Sequence, residues 1–306
     1  MNQVTVSVPA TTANLGVGFD CIGAALSMAN EFTFTKVNTN SKLKINVTGD
    51  EAYKVSRKEN NLIYQAFLRL YQQIGKTPPN LELDIKLEVP LSRGLGSSAT
   101  AIVGGLLGAN ALAGNPLERA KIIEMAIAIE GHPDNVVPAL LGNCQLSVGS
   151  QSNWQICSIP WHQDIIPVVA IPNFELSTKE ARSVLPNRYT RSDAIFNISR
   201  MGLLLRALET HNQSWLKTAL ADKIHQPYRQ QLITGYFEVQ QAAIAAGAYG
   251  MVISGAGPTL LALTNADRVD RVVKSMAEAW KQIDVEAQVR SLSLDTIGAK
   301  VQYADS

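Results

Sequence analysis

Cysteine is scarce in this chain: Cys21, Cys144 and Cys157 are all there is, far apart and without any pair spacing. That excludes a disulfide framework and a cysteine-based zinc site, and it fits a reduced, cytoplasmic setting. An excess of either charge is missing too, with 27 Lys and Arg against 26 Asp and Glu. A nucleic-acid or membrane-surface partner wants a basic excess, so neither is expected, and an anionic ligand must be met by local groups. Met1-Asn2-Gln3-Val4-Thr5-Val6 shows no basic segment leading into an apolar one, so no secretory leader is expected. No repeat or low-complexity tract stands out. One uncharged apolar stretch, residues 94–117, is long enough to cross a bilayer. It is broken by glycines and holds Ser97, Ser98, Thr100 and Asn110, so a buried helix behind a ligand loop is the more economical reading.

What the chain does have is length and apolar content: 306 residues, 46% hydrophobic. That is about twice a usual single domain and enough for real cores. Two domains are expected, 1–157 and 158–306, divided near the polar, proline-bearing stretch 154–161. Residues 4–8 alternate and read as a strand that Pro9 ends, leaving 10–20 as a loop. Residues 31–37 and 43–48 read as strands, and Asn61 caps a helix that follows it. Residues 81–89 alternate strictly and read as a half-exposed strand, and an apolar helix spans 98–112. Asn115-Pro116-Leu117-Glu118 reads as the start of a helix ending at Gly131, with Ile122, Ile123, Ala126 and Ile127 on its apolar face. In the second half, strands at 165–171, 251–254, 260–264 and 285–294 alternate with helices within 191–247 and at 267–282. That order is β-α-β-β-α-β, the ferredoxin-like split unit. The expected fold is α+β, a mixed sheet with helices followed by a ferredoxin-like domain.

Between the alternating strand and the apolar helix lies Pro90-Leu91-Ser92-Arg93-Gly94-Leu95-Gly96-Ser97-Ser98-Ala99-Thr100. It offers bare N–H groups and hydroxyls at a helix start, which a nucleotide phosphate needs. A dinucleotide loop of the G-x-G-x-x-A type also fits Gly94 to Ala99. That loop follows a buried, continuously apolar parallel strand, whereas residues 81–89 carry charges at alternate positions. The Gly75-Lys76-Thr77 string has Leu70 where a P-loop needs glycine and runs into Pro78-Pro79, so it reads as a helix end. A glycine-rich turn capping a core helix is the plain alternative.

Three segments in order resemble the motifs of the GHMP kinases: Pro9-Ala10-Thr11-Thr12-Ala13-Asn14-Leu15-Gly16, the loop Pro90 to Ala99, and Ser254-Gly255-Ala256-Gly257-Pro258-Thr259. Gly131-His132-Pro133-Asp134-Asn135 and Ser177-Thr178-Lys179-Glu180-Ala181-Arg182 are similar to the branch of that family that phosphorylates an amino acid. The resemblance covers about residues 4–264. It implies a two-domain α+β fold with a cleft between the domains, ATP as co-substrate, Mg²⁺, and L-homoserine as acceptor. The product would be O-phospho-L-homoserine, for threonine synthesis, in the cytoplasm; a homodimer is left open.

Phosphoryl transfer leaves a protein little covalent chemistry, so positioning and charge neutralisation dominate. The resemblance puts the ATP phosphates on Leu91, Ser92, Arg93, Gly94, Leu95, Gly96, Ser97, Ser98, Ala99, Thr100 and Ala101, and the adenine on Asn61. No lysine lies in this loop, so Mg²⁺ must supply much of the neutralisation. The resemblance assigns it to Ser98, or its neighbour Ser97, and to Glu124, which flanks an apolar helix face and needs a partner there. An amino-acid acceptor needs oxygens for its ammonium and an arginine fork for its carboxylate. Asn14 and Asp20 match the family's substrate contacts, Arg182 and Arg229 are candidates for the clamp, and Gly255 would close from the other side. His132, Asp134, Asn135 and Thr178 are expected near the reacting hydroxyl. Asp134 is the nearest candidate base; positioning by Asn135 and Thr178, without a strong base, is the preferred alternative. His162, His211 and His225 sit in no motif. An isoprenoid or sugar alcohol acceptor would have less need of the two arginines. A non-catalytic relative would have lost Ser98, Glu124 or the glycines, and all are present.

Overall fold

The computed structural model describes residues 2–38, 41–150 and 153–304. The first sheet has seven strands: β1 (Gln3–Ala13), β2 (Ile22–Lys36), β3 (Leu43–Thr48), β4 (Leu81–Lys86), β5 (Cys144–Ser150), β6 (Asn153–Ile159) and β11 (Lys300–Tyr303). Their order is β11-β1-β2-β4-β3, with β5 joining the start of β2 and β6 joining β5. All pairings are antiparallel except β3 with β4. Helices α1 (Leu62–Gln73), α2 (Ser97–Leu112), α3 (Arg119–Glu130) and α4 (Pro133–Leu141) pack on one face. The second sheet is antiparallel: β7 (Ile166–Pro172), β8 (Gly250–Ile253), β9 (Leu260–Thr264) and β10 (Ala287–Ser291), in the order β10-β7-β9-β8. Between β7 and β8 run α5 (Thr178–Ser183), α6 (Arg191–Thr210), α7 (Gln213–Ala219), the short α8 (Gln226–Arg229) and α9 (Tyr236–Ala245); α10 (Val269–Lys281) links β9 to β10.

Side-chain parity sorts the residues into three cores. Val4, Val6, Val8, Phe32 and Phe34 face α1–α4. On β7 and β9, Val169, Ile171, Leu261 and Leu263 point toward the first sheet with α6 and α7. Their neighbours Val168, Ala170, Leu260 and Ala262 point the other way, onto α9 and α10. Both faces of the second sheet are therefore covered, which is why β8 and β9 are buried throughout rather than alternating.

Four expectations change. Pro9 does not end the first strand. It pairs opposite Ala29 while Ala10 sits opposite Leu26, so β2 carries two additional residues there. Pro9 lies past the stretch of β1 that meets β11, where a missing N–H is tolerated, and the irregularity moves Ala10 from the helix-facing core into the inter-sheet core. Residues 10–13 are strand, not loop. The helix expected from Asn115 starts at Arg119 instead, because the Asn110 side chain bonds both N–H and C=O of Leu117 and holds 115–118 as a closed connection. Residues 153–159 form β6 of the first sheet, and β11 brings the chain back to that sheet at its other edge. The ferredoxin-like unit proper thus spans β7 to β10. Among the described residues no helix is long and apolar enough to cross a membrane; the apolar stretch forms α2, buried along most of its length.

Candidate active site

A cavity of about 210 Å³ opens where the three glycine-bearing segments meet. Asn14, Asp20, Ser92, Gly94, Gly96, Ser97, Ser98, Glu130, His132, Asp134, Asn135, Thr178, Arg182, Arg229 and Gly255 line it. The segments are sewn together directly. Ser254 Oγ donates to Gly94 O (2.7 Å), Thr259 N donates to Arg93 O (3.2 Å), and Gly255 N donates to Ala13 O (3.1 Å). Gly94 and Gly96 have φ of 77° and 70°. A Cβ on Gly94 would strike the Ser254 carbonyl, and one on Gly96 the Thr11 hydroxyl. Glycine is thus required here for both conformation and closeness.

Gly96 is the N-cap of α2, so the first-turn N–H groups at Ser97 and Ser98 face the cavity without a side-chain cap. Ser98 Oγ donates to Glu130 Oε2 (2.8 Å). Glu130 closes α3, and burial pushes its carboxyl pKa up against the lowering by Ser98 and His132. Two hard oxygen donors, one on a carboxylate whose charge is under-compensated, are what Mg²⁺ accepts. Glu124 is not part of this. It sits earlier on α3, half-buried, and pairs with Lys121 Nζ at 2.9 Å, outside the cavity. The acid at the helix end, abutting Gly131, is the one the fold carries to Ser98.

The loop's other members hold its shape. Arg93 is buried and donates to Pro172 O, Leu91 O and Asn173 O, which fastens the loop to the second domain rather than offering charge to the cavity. Leu91 N is held by Glu51 Oε2, Leu95 is core, and Thr100 links Ser97 O to Asn30. Ala99 packs among the helices and Ala101 against them. Asn61 caps α1 through Ile63 N and Tyr64 N and donates to Ser56 O, away from the cavity lining.

The turn at the start of α4 supplies the polar floor. His132 Nδ1 lies 2.6 Å from Asp134 Oδ1, and Asn135 Oδ1 accepts from Thr11 Oγ1. Burial works to lower the His132 pKa, but the Asp134 bond and charge, with Glu130, outweigh it and the net shift is upward.

Opposite lies a charge pair. Asp20 receives both arms of Arg182 (2.9 and 2.8 Å). Asn14 fixes the turn by accepting from Asp20 N and donating to Gly255 O. Arg182 is placed by α5, whose cap is Ser177, with Thr178 as its first residue. Arg229 is buried, donates to Ala181 O and Gly255 O, and among the described residues has no acceptor for Nη2. Burial and then Arg182 bring its pKa down to about 10.

Beyond the expected set, the structure brings in Glu130, Ser177, Phe19 and His225. Phe19 is stacked on His225 (5.0 Å), and the Arg229 guanidinium lies 5.0 Å from its ring centre. His225 is fully buried, with Nε2 2.8 Å from Gly16 O and Nδ1 3.4 Å from Arg229 Nη1. Only Glu130 carried a sequence cue, an acid beside a helix-ending glycine where the helix dipole disfavours it.

Known proteins share this frame. The GHMP kinases N terminal domain matches residues 61–143 and the GHMP kinases C terminal domain matches residues 204–282. The homoserine kinase of Crocosphaera subtropica is 67% identical over 98% of both chains, and that of Trichormus variabilis 61% identical over 98% of this chain and 99% of its own. Among solved structures, homoserine kinase from Cytophaga hutchinsonii superposes with a TM-score of 0.89 at 29% identity, covering 99% of this chain and 98% of that one. A mevalonate kinase shares the fold at a TM-score of 0.72 and 12% identity, over 95% of this chain and 98% of its own.

Proposed function

The chain belongs to the GHMP kinase family, and on that premise we propose that it transfers the γ-phosphoryl group of ATP to the side-chain hydroxyl of L-homoserine, giving ADP and O-phospho-L-homoserine for threonine synthesis. The observation that carries the acceptor is the Asp20–Arg182 pair beside the unspent Nη2 of Arg229. A zwitterionic amino acid is the natural partner of an ion pair: its ammonium goes to Asp20 and Asn14, its carboxylate to Arg182 and Arg229. The phosphates of ATP lie at the start of α2, on backbone N–H groups of Gly94 to Ser98.

Ser98 and Glu130 would hold Mg²⁺, which when bound neutralises phosphate charge. In the transfer, the hydroxyl oxygen bonds to the γ-phosphorus while the bond to the β–γ bridging oxygen breaks, and ADP takes that electron pair. Asp134 Oδ1 is already engaged by His132 Nδ1 at 2.6 Å, which takes up the oxygen a general base would turn toward the hydroxyl. Thr178, Asn135 and Asp134 therefore position the hydroxyl, and its proton passes late in the transfer to an oxygen of the transferred phosphoryl group. Asp134→Asn is expected to lower kcat by less than about 10²-fold, below the usual range for loss of a general base. A larger loss with unchanged binding of both substrates would make Asp134 the base.

The activity is tested by ATP consumption with Mg²⁺ against L-homoserine, L-serine, L-threonine, mevalonate and galactose. Turnover on L-homoserine alone is expected. Turnover on mevalonate or galactose would overturn the acceptor assignment, and none at all, with ATP bound, would leave a binding protein.

A further inference from the structure

The connection from β6 to β7 meets the far end of α6 on a surface that shares no residue with the catalytic cavity. His162 and Asp164 come from the connection. His211 comes from the end of α6, where it takes a left-handed conformation (φ 55°) uncommon for a residue with a ring. The two imidazoles stack, centroids 5.1 Å apart and planes 19° from parallel. Their Nδ1 atoms converge on one carboxylate oxygen: Asp164 Oδ2 is 3.7 Å from His162 and 3.9 Å from His211. These separations are too long for hydrogen bonds. One ligand atom from each of the three residues lies within 4.8 Å of the other two. An ion with tetrahedral bonds of about 2.0–2.2 Å sets its ligand atoms about 3.3 Å apart. Small rotations of these partly exposed side chains cover the difference.

The surroundings prepare the nitrogens. Asp164 N donates to His162 Nδ1 at a long 3.3 Å, so that atom is the unprotonated nitrogen of the ring, and an ion at the cluster would take over the lone pair that this long bond now uses. His211 Nε2 lies 2.9 Å from the Tyr249 hydroxyl; when Nε2–H donates there, His211 Nδ1 keeps its lone pair as well. The backbone is fixed by His162 N to Leu208 O (2.8 Å), which ties the connection to α6 before any ion arrives.

We propose that His162, Asp164 and His211 form a binding site for a borderline divalent transition ion, with zinc as the reference case and water completing the coordination. Two imidazoles and one carboxylate suit zinc, cobalt or nickel and not the all-oxygen preference of magnesium or calcium. The ion would staple the crossing between the two sheets to α6, and because it binds the folded chain it would stabilise it.

The test is a zinc titration of the chelator-stripped full chain by calorimetry, repeated with cobalt by visible absorbance. Wild type is expected to bind one zinc at this site at micromolar or tighter concentration and to rise in Tm. His162→Gln, Asp164→Asn and His211→Asn (asparagine tolerates the left-handed turn) should each weaken that binding at least about tenfold, while magnesium-dependent kinase turnover stays at the wild-type rate and so reports intact folding. Zinc affinity unchanged in all three variants would overturn the proposal. So would a site that disappears in Glu130→Gln or Cys157→Ser instead, which would place the ion in the catalytic cavity or on a thiol.

Discussion

Glu124 and Glu130 share α3 and differ only in what surrounds them. Lys121 neutralises the first at the surface, while the second is drawn into the cavity with Ser98 and an upward-shifted pKa. Glu130→Gln is expected to cut kcat by about 10²-fold or more, in keeping with loss of one charge-stabilising group. Glu124→Gln should stay near wild type; equal losses in steady-state assays would refute the distinction. The resemblance pointed to Glu124, whereas the acid on the same helix that meets Ser98 is Glu130, because register along a helix is decided by what stands across from it, here the start of α2. His225 shows the same limit from the other side. No local string marks it, yet burial holds its pKa down to about 4, with Asp222 and Arg229 pulling in opposite directions. An unfolded histidine titrates near about 6.5, so between those values the unfolded chain binds a proton that the native state refuses. Stability from this group is full above about pH 6.5 and is lost as pH falls toward 4. Urea midpoints of wild type and His225→Gln should therefore diverge as pH rises through that window, by at most about 1.4 kcal/mol per pH unit. Parallel curves would show that His225 is not the group titrating.

At the level of elements, the parts that could be read beforehand are those whose shape is settled by near neighbours. Asn61 caps its helix from its own side chain, α2 starts at the glycine loop, and β7 to β9 follow their apolar runs. The parts that could not be read depend on distant contacts. Pro9 is accommodated because β11, from the other end of the chain, stops pairing before it, and 115–118 is held by Asn110. The phosphate loop combines both kinds. Its glycines are visible as a string, but their necessity comes from Ser254 and Thr11. Gly94→Ala combines a left-handed φ with a backbone collision. It is expected to lower stability by about 1–2 kcal/mol from the conformation alone and to raise the KM for ATP several-fold, since the third loop must move away. A variant with wild-type Tm and KM would show that the contact between the loops is slack.

Across the whole molecule the two sheets are not consecutive blocks. The chain builds most of the first sheet, completes the second, and returns to add β11 against β1, pairing Val4 with Tyr303. Ending the chain after Gly298 removes that strand and opens an edge of β1. The expected result is a Tm lower by about 5 °C or more and association of the truncated chain through the bare edge, checked by thermal melts and light scattering. A monomer melting at the wild-type temperature would mean that β11 contributes nothing to the sheet.

That return of the chain also sets a timetable. On the ribosome, at about 5–20 residues per second, the stretch from β1 to β11 takes about 15–60 s to make. For nearly all of that interval β1 has been synthesised while the residues that seal its second edge have not. The nascent chain therefore shows one open edge of a valine-rich strand to any chaperone at the exit port, and Gly255, which the cavity needs, also arrives late. The cavity and the second edge of β1 both wait on residues made more than two hundred positions after β1 itself.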